Sequence, residues 1–136
     1  MILTSLTVLG DDTVVAALVG WLRSEDVVLR NEAIEAFKQL PDKAAPVMSG
    51  LLADPDPDVR IFAVNILESL RHPDVEAWLI AVIERDAHVN VCATAVDLLG
   101  EVGTAAAREP LRRLSARFAE PYIQFATELA LKRIKG

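Results

Sequence analysis

Asp54, Asp56 and Asp58 form the densest set of oxygen ligands in the chain. Alternating carboxylates open a calcium loop, but that loop also needs a glycine turn and a distal Glu, and neither follows here. Helix capping explains the three better. His72 and His88 are the only histidines, and neither belongs to a His-Glu pair. That inventory does not build a zinc or iron site. Cys92 lies four residues after His88, one helical turn away, and a thiol nucleophile needs such a base. No third, orienting group accompanies the pair in sequence, so Cys92 reads as a half-buried structural thiol. Trp21 and Trp78 fall at apolar helix positions and read as packing residues. No catalytic residue, metal or cofactor is expected.

The basic residues carry a different chemistry. Arg108, Arg112, Arg113 and Arg117 recur at i, i+4, i+5 and i+9, which puts them on one side of a helix. Lys132, Arg133 and Lys135 follow. Such a cluster can hold a phosphate or an acidic protein. It also complements the negative end of a helix, with Glu109 and Glu120 nearby, and this structural role is favoured. Residues 1–100 hold 16 acids and 7 bases, whereas residues 101–136 hold 4 and 7. The acidic bulk repels a phosphate backbone and disfavours nucleic-acid binding by the domain as a whole. The basic end could instead meet the acidic half of a second copy.

What positions these residues is a repeat. Asp54-Pro55-Asp56-Pro57-Asp58-Val59-Arg60 with Ala63, Leu67 and Leu70 is its clearest copy, and Leu29, Val59, Val91 and Ile123 are its anchors, 30, 32 and 32 residues apart. A period of this length signals stacked units that cannot bury their apolar faces alone. Each unit reads as two helices. The first helices span about 13–23, 43–53, 74–85 and 104–117, and the second about 27–40, 57–70, 89–101 and 121–134. Val14, Ala17, Leu18, Trp21 and Leu22 show the apolar stripe of one helix face. Pro57 and Pro121 suit a first helical turn, and Asp26 and Asp56 suit the cap before it. Pro46 and Pro110 read as first- or second-turn prolines. The expected fold is all-α, a right-handed α-solenoid of about four helical hairpins plus a partial N-terminal helix. It forms one domain over 1–136, with repeats at about 13–41, 42–71, 72–103 and 104–136 and a helical stub at 1–10. Ile2, Leu3, Leu6 and Leu9 are apolar where a solenoid end is normally polar. That end packs as a minimal cap, continues into a longer array, or meets a second copy.

The Asp54–Arg60 motif, with Ala63, Ile66-Leu67 and Leu70, resembles HEAT repeats, in particular the short bacterial phycobilisome-lyase-like kind. The likeness spans residues 13–136. It implies a ladder of charge-assisted bonds between neighbouring loops, made here by Asp26, Arg30, Asp56 and Arg60. The ladder is expected to fade where Cys92 and Gln124 take the Arg position and His88 and Glu120 the Asp position. Iron-binding hydroxylases built on this repeat use repeated His-Glu dipeptides, which this chain lacks. The resemblance also implies a scaffold, an adaptor or an accessory subunit of a bilin lyase-type enzyme.

A lone cysteine excludes an internal disulfide and fits a reducing, cytoplasmic compartment. No window approaches the roughly 18 to 20 apolar residues of a membrane span, and the N-terminus lacks a secretory signal. The second-helix positions that face away from the core form a mixed strip of acids, amides and apolar spots. Such a strip can receive a protein segment, with Glu35, Ile61, Asn65, Glu68, Asp97 and Phe125 as contacts. The leading expectation is a non-enzymatic scaffold or adaptor that binds a protein segment along this concave face. The alternatives are the lyase-accessory role and nucleic-acid binding through Arg108, Arg112, Arg113 and Arg117. Self-association through the apolar N-terminal end is a further expectation.

Overall fold

The structure is a computed structural model that describes residues 11–70 and 72–134. Helices α1 (Asp11–Leu22) and α2 (Val27–Gln39) make the first hairpin, and α3 (Pro41–Leu52) and α4 (Pro57–Leu67) the second. Helices α5 (Val75–Arg85) and α6 (Val89–Val102) make the third. A 3-10 turn (Ala105–Ala107) then leads into α7 (Arg108–Arg117), which pairs with α8 (Pro121–Arg133). Among the described residues there is no strand, and no helix is long and apolar enough to cross a membrane. The fold is all-α, as the repeat period requires. The stub expected over 1–10, with its apolar end, lies outside the described residues.

The helix starts follow from local chemistry. Asp26 Oδ1 accepts the Val28 amide at 2.9 Å, and Asp56 Oδ1 accepts the Asp58 amide at 2.9 Å. Each capping carboxylate satisfies a donor that the first turn leaves without a backbone partner. Pro57 and Pro121 occupy the first helical position, where no N–H is needed. Pro46 lies in the second turn of α3.

The largest difference from the expected boundaries is at the start of α7. A single helix was expected over 104–117, yet the chain winds as a 3-10 turn up to Ala107 and turns α-helical at Arg108. Pro110 has no N–H to give the Ala106 carbonyl, so the α-ladder cannot run back through that turn. Thr104 caps the turn instead, its hydroxyl accepting the Ala106 amide at 3.3 Å. α4 also ends earlier than expected, because Ser69 and Leu70 donate to carbonyls three residues back and tighten its last turn.

The chain divides into two compact units, residues 1–71 and 72–136, of two hairpins each. In the first unit α2 packs on α4 and α1 on α3. Its core is Val14, Leu18 and Leu22 from α1, Phe37 from α2, Met48 from α3, and Val59, Ala63 and Ile66 from α4. The anchor Leu29 is only half-buried, unlike Val59, Val91 and Ile123. In the second unit α6 packs on α8 and α5 on α7. Its core is Leu79 and Ile83, Val91, Ala95 and Leu99, Leu111 and Leu114, and Ile123, Ala130 and Ile134. Truncating one of the largest of these, Phe37 or Leu99, to Ala removes packed apolar volume, a change worth about 3–5 kcal/mol in well-packed cores.

Two glycines in the second unit look alike in sequence but differ in space. A Cβ on Gly100 would lie 3.4 Å from the Ala130 Cα and 3.5 Å from its Cβ, an ordinary contact. A Cβ on Gly103 would lie 2.6 Å from the Leu99 carbonyl oxygen and 3.3 Å from Ile134 Cδ1. Gly103 stops α6 so that its own N–H can bond that carbonyl at 2.8 Å.

Within the first unit the hairpins are also tied electrostatically. Arg23, just past α1, donates to Asp54 Oδ2 from Nε at 3.0 Å and from Nη2. Asp54 is one of two buried polar residues in the core set. Burial alone pushes its carboxyl up. The Asp56 N–H, the Arg23 guanidinium and the charge of Arg60 outweigh that and hold it below its ordinary value.

Gly103→Ala is expected to destabilise the chain by about 1–3 kcal/mol, while Gly100→Ala is expected to be neutral or stabilising, in chemical denaturation. Equal effects of the two would contradict the contact geometry. Asp54 is more acidic folded than unfolded, so its contribution is in place above the unfolded value of 3.8. That contribution is lost as pH falls through the lower folded value. Arg23→Ala should therefore cost about 1–2 kcal/mol at neutral pH and progressively less in acid, measured by urea unfolding at several pH values.

Candidate functional site

Every hairpin has to turn between its two helices, and one position in the second helix closes that turn. Arg30 Nη1 donates to the Ser24 carbonyl at 3.2 Å, and Arg60 Nη1 to the Asp54 carbonyl at 2.7 Å. In the third hairpin the Cys92 thiol lies 3.3 Å from the Asp86 carbonyl, and in the fourth Gln124 Nε2 donates to the Phe118 carbonyl at 2.5 Å. The separation is six residues each time. The residue that opens the loop contributes as well. Ser24 Oγ, Asp54 Oδ1 and Asp86 Oδ1 accept the amides of Asp26, Asp56 and His88 at 3.0, 2.9 and 2.9 Å.

These contacts lie within single hairpins, whereas the ladder expected from Asp26, Arg30, Asp56 and Arg60 joins neighbouring loops. Asp26 and Asp56 cap helices, while Arg30 and Arg60 close their own loops. Arg30 also reaches the next hairpin, where its guanidinium lies 5.5 Å from the centre of the Phe62 ring. The charged tie between the loop regions of the first unit runs from Arg23 to Asp54. Sequence reasoning missed it because Arg23 stands at the end of a first helix, outside the repeated motif. Own-loop closure, a contact distinct from that ladder, continues at Cys92 and Gln124, where a thiol and an amide donate.

The arginine cluster is largely absorbed by the fold. Arg108 Nη2 donates to the Ile134 carbonyl at 2.9 Å, and Arg112 pairs with Glu109 at 2.6 Å. Arg113 pairs with Glu84 at 2.8 Å. Arg117 donates to the Glu84 and Asp86 carbonyls at 2.9 and 2.6 Å, and its Nη2 lies 3.5 Å from Cys92 Sγ. The third loop has a cysteine where the first two have arginine, and a guanidinium from the next hairpin serves it. Arg113 and Arg117 also border a hollow of 220 Å³ floored by Ile83, Pro110 and Leu114, and Glu84 lines it with them. Glu76 of α5 likewise binds the fourth hairpin, accepting the Thr104 amide at 2.5 Å.

Each unit also has exposed side chains on its second helices. Glu35 and Glu68 are exposed and Ile61 and Asn65 half-buried, on the packed pair α2 and α4. In the second unit Asp97 is exposed on α6, and Phe125 on α8 is 68% exposed. Partial burial pushes the Asp97 carboxyl up, Arg133 opposes this and Glu101 adds to it, and the net direction is upward. His88 Nδ1 is enclosed without a hydrogen-bond partner, and His72 stacks on Trp78 with ring centres 5.0 Å apart. Among the described residues no three of His, Cys, Asp and Glu converge as metal ligands would.

Arg117 and Arg112 are both exposed, but their partners differ. Arg117→Met is expected to cost about 1–2 kcal/mol, because two loop carbonyls lose a charged donor, and Arg112→Met under about 0.5 kcal/mol. Denaturation midpoints of the two variants check this, and a silent Arg117→Met would contradict the assignment.

A family model described as HEAT repeats matches residues 44–132, from within α3 to the last turn of α8. No curated protein and no solved structure matches the chain. With the period, the hairpins and that match in agreement, the chain belongs to the HEAT-repeat family.

Proposed function

We propose that this protein is a non-enzymatic interaction module that binds a segment of another protein along the faces of its second helices. The observation that carries this reading is how the side chains are used. The four arginines of α7 are engaged within the fold, with partners at 2.6 to 2.9 Å. The second helices, in contrast, keep apolar residues among acids and amides at the surface. In the first unit Ile61 and Asn65 are half-buried and Glu35 and Glu68 exposed, and in the second Phe125 is exposed. Apolar anchors beside polar groups that fix register are what a bound protein segment needs. A buried, reduced Cys92 suits a reducing, cytoplasmic setting.

The test is affinity capture from source-cell extract with the wild-type chain and with the double variant Ile61→Ser/Asn65→Ala. Recovery of the partner is expected to fall at least about tenfold in the variant, equivalent to about 1.4 kcal/mol, with the helical circular dichroism signal unchanged. Undiminished recovery would remove this face from the interface. Salt-sensitive retention on DNA or RNA that disappears with Arg112→Glu/Arg113→Glu would replace the proposal with nucleic-acid binding.

A further inference from the structure

Three of the large apolar side chains left exposed among the described residues lie on one helix. Tyr122 is 47%, Phe125 68% and Leu129 43% exposed, all on α8. Their spacing of i, i+3 and i+7 makes one stripe. The opposite side of α8 is buried through Ile123, Thr127, Ala130 and Ile134, so the helix is already anchored without the stripe.

The repeat shows that the stripe is particular to α8. The corresponding residues are Val28, Asn31 and Glu35 on α2, Asp58, Ile61 and Asn65 on α4, and Asn90, Ala93 and Asp97 on α6. Each of those sets has a polar residue at one or more of the three positions. Only α8 is apolar at all three. Tyr122 is also held in place, its hydroxyl donating to Asn90 Oδ1 at 3.1 Å. Water disfavours a stripe of exposed apolar side chains of this kind.

We propose that the stripe pairs with the same stripe of a second copy, the two α8 helices running antiparallel about a two-fold axis at the level of Thr127. The numbering is self-complementary about that point. Phe125 and Leu129 stand two residues to either side of Thr127, and Tyr122 and Lys132 five to either side. Phe125 therefore faces Leu129 of the other copy, and Tyr122 faces its Lys132, a cation placed for an aromatic ring. Residue i meeting j while j meets i is the pattern a two-fold interface requires. Charge selects the direction. Glu120 precedes α8, and Lys132 and Arg133 lie in its last turn. Antiparallel pairing brings the basic end of one helix to the acidic end of the other and aligns the helix dipoles favourably. Parallel pairing would set Lys132 and Arg133 against their own copies.

One helix pair buries far less than the roughly 800 Å² per partner of a standard interface, so the dimer is weak and reversible. The inference goes beyond the protein-segment reading, because it concerns a second copy, and of that reading's residues it uses only Phe125. Its failure would leave the Ile61 and Asn65 experiment standing.

Sedimentation equilibrium on the full chain tests it. The average mass is expected to climb from monomer towards dimer between about 10 μM and about 1 mM. Phe125→Glu and Leu129→Glu, both at exposed positions, should each hold the chain monomeric over that range, with circular dichroism showing unchanged helix. A mixture of Phe125→Cys and Leu129→Cys chains, oxidised mildly, should give the mixed disulfide in excess over either homodisulfide. A wild-type chain that stays monomeric, a dimer indifferent to Phe125→Glu, or a predominance of homodisulfides would each overturn the proposal.

Discussion

The architecture depends on a side-chain donor that turns back to close the loop between the two helices of each hairpin. The donor is Arg30, Arg60, Cys92 or Gln124, and the acceptor is always the carbonyl six residues earlier. A loop carbonyl enclosed between helices needs a partner, and leaving it without one costs on the order of 1–3 kcal/mol. Closing the loop fixes where the second helix begins. That start fixes which of its residues point into the core. Val59, Val91 and Ile123 each precede a closing residue and are buried, whereas Leu29, before Arg30, is only half-buried. The exposed positions of the second helices follow from the same register.

Hairpins of this kind must also hold one another. Within each unit that task is shared between motif residues such as Arg30 and residues outside the motif. Arg23 reaches the buried Asp54 in the first unit. In the second, Arg117 and Glu76 reach the neighbouring hairpin's loop regions, to carbonyls at Glu84 and Asp86 and to the amide of Thr104. These ties account for where the α7 arginines of an acidic chain find partners. The guanidinium groups serve carbonyl and carboxylate oxygens already present in the fold, and an incoming phosphate would have to compete with them. Among the described residues, the large apolar side chains left exposed lie on the second helices, three of them on α8.

Much of the fold was legible in the sequence, because a helix pair that repeats at a near-constant period leaves a periodic apolar pattern. The eight described helices start within two residues of their expected positions, apart from α7, where Pro110 forces a 3-10 entry. The division of the chain after residue 71 was not legible, since the repeat runs through it without interruption. The closing role of Cys92 and Gln124 was missed for a chemical reason. The motif was read as an arginine requirement, whereas the geometry asks for any donor that reaches a carbonyl. Arg23 and Arg117 were missed as ties because the period does not mark them and their partners lie about thirty residues away. The exposed strip was legible residue by residue, as Phe125 shows. Its concentration on α8 emerges only when equivalent positions are compared across the repeats.

Hydrogen exchange of the wild-type chain beside Gln124→Leu tests the loop-closing claim most directly, because Gln124 is a closing donor that carries no charge. Losing its bonds should speed exchange at the end of α7 and in the first turn of α8 by at least about tenfold, with the interior of α6 unchanged. Equal exchange of that loop in the two proteins would contradict the claim that a donor at this position sets the hairpin.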